Sequence, residues 1–79
     1  MLYKTVEKKI LPMYFNEVAN GRKRFELRKD VEGIQIGDII VLREYDGDYT
    51  GRSITATVSY VLRNCPEWGL MEGYCIIGF

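Results

Sequence analysis

Between Arg22 and Lys29 the chain sets five basic residues, Arg22, Lys23, Arg24, Arg28 and Lys29, against a single carboxylate, Glu26. Such a patch attracts anions, and phosphate is the commonest partner of clustered Lys and Arg. The lone carboxylate adds a different chemistry. It only accepts hydrogen bonds, so it suits a donor such as the amino group of cytosine or the N–H edge of guanine. Phe25 and Leu27 alternate with the charges, and the segment reads as a short strand. On a strand Arg24, Glu26 and Arg28 share one face, roughly 6.5 to 7 Å apart, while Phe25 and Leu27 turn into a core. Glu26 is then placed to hold both arginines. Arg43 and Tyr45 share a face of a later strand, where Tyr45 could stack on a base, and Lys23, Arg24, Glu26, Arg28, Arg43 and Tyr45 form the candidate ligand-binding set. The plainer reading is a solvated face of mutually compensating ions, each exposed pair contributing about 0 to 1 kcal/mol.

The elements that must position these residues are short. Tyr3 to Lys9 suggests a first strand. Pro12 suits the first turn of a helix, on which Leu11, Phe15, Val18 and Ala19 recur at helical spacing, and Asn20-Gly21 supplies the stop. After the charged strand and a polar loop, Gly37-Asp38 marks a turn before the apolar run Ile39 to Leu42. Asp46 to Gly51 reads as a hairpin loop, leading to Ser53–Tyr60, whose alternation turns Ile54, Ala56, Val58 and Tyr60 inward. A loop with Pro66 and Trp68 follows, in which Trp68 is expected to pack against the body, and Tyr74–Phe79 closes the chain as a strand. The pattern predicts a mainly β single domain over residues 1–79, with one or two short helices. Its natural form is a small β-barrel of about five to six strands plugged by the N-terminal helix.

Seventy-nine residues allow one core. Eleven basic and eleven acidic residues cancel, so binding to nucleic acid has to rest on the local patch rather than on overall charge. Acid gathers at Glu44, Asp46 and Asp48, which makes the chain electrically two-sided. Two cysteines, Cys65 and Cys75, and no histidine leave too few ligands for a structural zinc, and no metal or other cofactor is expected. No apolar run approaches a membrane span, so the expectation is a cytoplasmic protein with reduced thiols and no membrane partner.

Gly21, Lys23, Glu26 and Arg28 fit the pattern Gly-x-Lys-x-x-Glu-x-Arg, and in this the chain resembles the ASCH domain (activating signal cointegrator homology), a relative of the PUA RNA-binding domain. The preceding apolar helix, Ile36-Gly37-Asp38, Leu42-Arg43-Glu44-Tyr45, Tyr49-Thr50-Gly51-Arg52 and Gly73-Tyr74 extend the likeness to short stand-alone bacterial and phage proteins of that type. The resemblance implies a PUA-like barrel that binds RNA, or a nucleotide-like ligand, in a cleft at the motif. Some similar ASCH proteins are small amidohydrolases that deacylate N4-acetylcytidine with a lysine, a threonine and a glutamate. Lys23 matches that lysine, but Glu26 stands where they carry the threonine.

Three functions follow. The first is an RNA-binding or nucleotide-binding module. The second, a hydrolase on acylated cytidines, would use Lys23 and Glu26 and would need a replacement hydroxyl from Thr50, Ser53 or Thr55. The third is a protein-interaction module pairing the acidic loop with the basic patch, which requires an exposed apolar surface of several hundred Å2 beside the charges.

Overall fold

The computed structural model describes residues 2–79. Six strands and one helix follow in the order β1 (Thr5–Ile10), α1 (Pro12–Ala19), β2 (Phe25–Lys29), β3 (Ile39–Tyr45), β4 (Tyr49–Thr57), β5 (Tyr60–Leu62) and β6 (Tyr74–Gly78), with a 3-10 turn at Pro66–Trp68. The chain is mainly β, as its pattern predicts. Its strands form two three-stranded sheets, β1-β3-β4 and β2-β6-β5. Among the described residues no strand ladder joins them, so the barrel expected from the sequence is not closed.

The break lies inside the stretch read as one strand, Ser53–Tyr60. Val58 still belongs to the first sheet's end: its N–H donates to the Asp38 carbonyl at 2.8 Å and its carbonyl accepts from the Gly37 N–H at 2.9 Å. One residue later, the Ser59 N–H donates to the Gly78 carbonyl of the second sheet at 2.8 Å. Ile54, Ala56 and Val58 face inward as expected, but the change of sheet turns Tyr60 out to solvent. The hairpin loop is also tighter than expected. Tyr49 to Gly51 are already part of β4, and only Asp46 to Asp48 turn the chain. β1 runs parallel to β3, with Thr5 opposite Ile39 and Ile10 opposite Glu44.

Both sheets and the helix contribute to one core of Ile10, Phe15, Val18, Ile34, Ile40, Leu42, Val58, Cys75 and Ile77. Burying an aliphatic or aromatic side chain contributes roughly 1.5 to 3 kcal/mol, and so short a roster makes polar anchors important. Phe15 and Val18 are the helix's inward residues, whereas Leu11 and Ala19, expected on the same stripe, lie exposed at its two ends. Trp68 stands out in solvent rather than packing on the body.

The firmest polar anchor is Asp38. Its carboxylate accepts the Lys4 and Gln35 backbone N–H groups at 3.0 and 2.8 Å and the Lys4 ammonium at 2.8 Å. It thereby ties the entry of β1 to the turn before β3. The residue before it must be glycine. Gly37 has φ +96°, and a Cβ there would collide with the Tyr3 ring. The Lys4 ammonium first, and then the Gln35 and Lys4 amides, hold the Asp38 carboxyl at a pKa of about 2, below its ordinary 3.8. The stabilisation is therefore complete above pH 3.8 and is lost as pH falls from there through 2. Asp38→Asn should unfold at lower urea than wild type at pH 6, with the gap between them closing as the pH is taken below 4; a gap independent of pH would contradict this assignment.

Candidate functional site

The helix end places the first site residue. Beyond Ala19 the chain turns through Gly21, whose φ of +83° suits a residue without a side chain. The N–H groups of Arg22 and Lys23 then both donate to the Glu17 carbonyl at 3.0 Å. This closes off a free end of α1 and fixes the Lys23 backbone just before β2.

β2 lies at the edge of its sheet, paired with β6 alone. In that register Glu26 sits opposite Ile77 and Arg28 opposite Cys75, both buried, so Glu26 and Arg28 share the inner face. Phe25 and Leu27 face outward, 49% and 57% exposed. The strand is thus inverted relative to the expectation that its apolar residues enter the core. Glu26 goes in because its charge is met on both sides. Lys23 Nζ donates to one carboxylate oxygen and to the Phe25 carbonyl (2.6 Å), while Arg28 donates from Nε to the other (3.0 Å) and keeps Nη2 in ion-pair contact with it at 2.8 Å. Arg28 is in turn fixed by the Lys9 carbonyl at 2.5 Å. With Glu26 only 5% exposed, the three headgroups make a cationic cluster around a nearly buried acceptor.

That cluster opens on a cleft of about 370 Å3 lined by Tyr14, Lys23, Phe25, Glu26 and Leu27. A second hollow of about 210 Å3 lies on the Arg28 side and shares Tyr14, Glu26 and Leu27 with it. Lys23 Nζ stands 5.5 Å from the Tyr14 ring centroid and 5.1 Å from that of Phe25, within cation–π range of both. The larger cleft therefore offers two aromatic rings, one cation and a carboxylate acceptor at one opening, and Arg28 braces that carboxylate from the second hollow. Tyr14 carries no signal in the sequence because it lies off the apolar helical stripe, and Phe25 none because alternation does not set a strand's phase.

The remaining candidates are elsewhere. Arg24 precedes β2, exposed, and its carbonyl accepts from the Phe79 N–H at 3.0 Å. Arg43 and Tyr45 alternate with buried Leu42 and Glu44, so they lie on the outer face of the first sheet. There Arg43 stacks on Tyr49 at 3.8 Å and pairs with Glu7 at 3.5 Å, and Lys9 Nζ sits 4.4 Å from the Tyr45 ring. The structure does not bring them into the cleft. Neither does it bring a hydroxyl to Lys23: Thr50 donates to Glu44 at 2.6 Å, and Ser53 and Thr55 are exposed on β4.

Glu44, read as part of an acidic surface, is buried. Arg52 donates to both its oxygens at 2.9 and 2.7 Å, and Arg52 also donates to Asn16 at 3.0 Å while lying 4.6 Å from the Phe15 ring. The Arg52 hydrogen bonds, and then that of Thr50, push the Glu44 carboxyl below its ordinary pKa. This second cluster clips the β3–β4 hairpin to the helix. Among the described residues no group of three or more His, Cys, Asp or Glu is placed to hold a metal, both cysteines are free, and no helix is long and apolar enough to cross a membrane.

Residues 5–79 match the family described as a domain of unknown function, DUF3850, and the chain belongs to that family. It is also similar to an uncharacterized 12.9 kDa protein in the GpA 3' region of Escherichia phage P2. The two are 33% identical over 78 residues, which cover 98% of this chain and 69% of the phage protein.

Removing the carboxylate charge leaves Lys23 and Arg28 facing each other with a weaker acceptor between them. Both are partly exposed and can recover some hydration, so Glu26→Gln should cost about 1 to 3 kcal/mol rather than the larger penalty of a fully buried pair. Urea denaturation at pH 7 measures it, and an unchanged midpoint would show that the cluster does not anchor β2.

Proposed function

We propose that the cleft binds RNA, or a nucleotide-like ligand, through a nucleobase held at Glu26. The observation that carries this reading is the pairing of Lys23 with Glu26 at an opening walled by Tyr14 and Phe25, with Arg28 bracing Glu26 from the adjoining hollow. Each Glu26 oxygen has one cationic partner side chain and retains acceptor capacity for an N–H from an exocyclic amino group or a guanine edge. A base in contact with Tyr14 or Phe25 would gain stacking worth roughly 1 to 3 kcal/mol. Phosphates would be met by Lys23 and by the exposed Arg24 and Arg22 on the approach to β2. Resemblance of the Gly-x-Lys-x-x-Glu-x-Arg spacing to the ASCH domain supports the same reading, with a PUA-like ancestry for the two-sheet body. Deacylation is less well supported, because Lys23 Nζ already donates to two acceptors and has no hydroxyl neighbour among those considered.

The test is a fluorescence anisotropy titration with short single-stranded and duplex RNAs at two salt concentrations. Single strands should bind more tightly, with log affinity falling by about 0.7 per phosphate contacted for each unit of log salt. Lys23→Ala and Glu26→Gln should each weaken binding at least about tenfold, a loss of about 1.4 kcal/mol, while Arg43→Ala on the opposite sheet leaves it unchanged. Binding that is indifferent to Lys23→Ala but lost in Arg43→Ala would move the site off the cleft.

A further inference from the structure

The second sheet has an outer face of which the cleft uses only the edge, Phe25 and Leu27. In its registers Phe25 and Tyr60 flank Gly78, and Leu27 and Leu62 flank Ile76, while Tyr74 lies opposite Lys29. That face is therefore Phe25, Leu27, Tyr60, Leu62, Tyr74 and Ile76, with one charged residue at its corner. Tyr60 is 59% and Leu62 39% exposed, and Met71, 66% exposed, joins Leu27 and Tyr74 around a shallow hollow. The inner face of the same sheet already packs Cys75 and Ile77 into the core. Strands apolar on both sides are the pattern of a sheet covered on both sides.

We propose that a second copy of this chain covers this face, giving a two-fold homodimer through the β2-β6-β5 sheets. Area favours that occupant. At these exposures Phe25, Leu27, Tyr60, Leu62 and Met71 present about 500 Å2 of side chain, so a two-fold contact removes about 1,000 Å2 before its rim is added, the size at which a specific interface begins. Charge does not oppose it: the rim mixes signs, with Arg24 and Lys29 at the two ends of β2 and Glu72 in the turn before β6, and the chain as a whole is neutral. Phe25 and Leu27 belong both to this face and to the cleft, so the partner copy would border the cleft's mouth. The proposal does not rest on what the cleft binds.

Sedimentation equilibrium across about 1 to 100 μM tests it. Wild type should approach twice the 9.2 kDa chain mass at the upper end, and high salt should not dissociate it, because apolar burial rather than charge holds it. Leu62→Lys and Tyr60→Lys, neither of which lines the cleft, should each weaken the dimer at least about tenfold while each chain still binds RNA. Both side chains are exposed, and circular dichroism checks that each variant is folded. A wild type of single-chain mass at every concentration overturns the proposal whatever the variants do, and leaves the face to a different protein. A dimer untouched by both folded variants places the interface elsewhere and overturns it equally. Loss of RNA binding in Lys23→Ala with the dimer intact, or the reverse in Leu62→Lys, separates the two readings.

Discussion

Glu26 sets the terms for the rest of the molecule. A carboxylate brought almost out of water is costly unless cations meet it with good geometry. Here they come from two directions, Lys23 from the helix exit and Arg28 from two residues along the same strand. Meeting that requirement fixes the phase of β2, and the phase decides where Phe25 and Leu27 go. One edge strand thereby supplies both the charges of the cleft and an apolar outer surface, with Phe25 and Leu27 bordering the two.

The other buried acids do comparable structural work without opening on a cleft. Asp38 joins the start of β1 to the turn before β3, and Glu44 joins the hairpin to α1 through Arg52 and Thr50. A domain of this size buries only roughly 60% of its unfolded surface. Three satisfied carboxylates at element junctions then fix the geometry that a larger core would fix by packing alone. The difference at Glu26 is that Lys23 lies beside open space and two aromatic rings, and Arg28 beside a second hollow.

Much of this was legible in the sequence. Pro12 and Gly21 bracketed the helix, Gly37-Asp38 marked the turn, and the spacing of Lys23, Glu26 and Arg28 brought together three groups that do meet. What could not be read was phase and partnership. Alternation in Arg24–Arg28 gives the period of a strand but not which half faces in, and hydrophobicity alone points to Phe25 and Leu27 as the inner half. Alternation likewise runs unbroken through Ser53–Tyr60, although the chain changes sheets at Ser59, because a hand-over between ladders leaves no mark on side-chain pattern. Arg43 and Tyr45 were grouped with the motif on charge and aromaticity, and only the pairing of β3 with β1 and β4 shows that they face away from it. The apolar outer face of the second sheet was hidden for the same reason: its residues come from three strands whose adjacency is a property of the fold.

In the proposed site Glu26, held by Lys23 and Arg28, is the acceptor that faces the ligand. Side-chain NMR of Arg28 tests it directly. The expected result is a resolved Nε–H signal, slowed in exchange by its bond to Glu26, that shifts together with the Tyr14 and Phe25 ring resonances when cytidine or guanosine monophosphate is added. An Nε–H exchanging at the rate of a free arginine, or nucleotide-induced shifts confined to Lys9, Arg43 and Tyr45 on the other sheet, would contradict it.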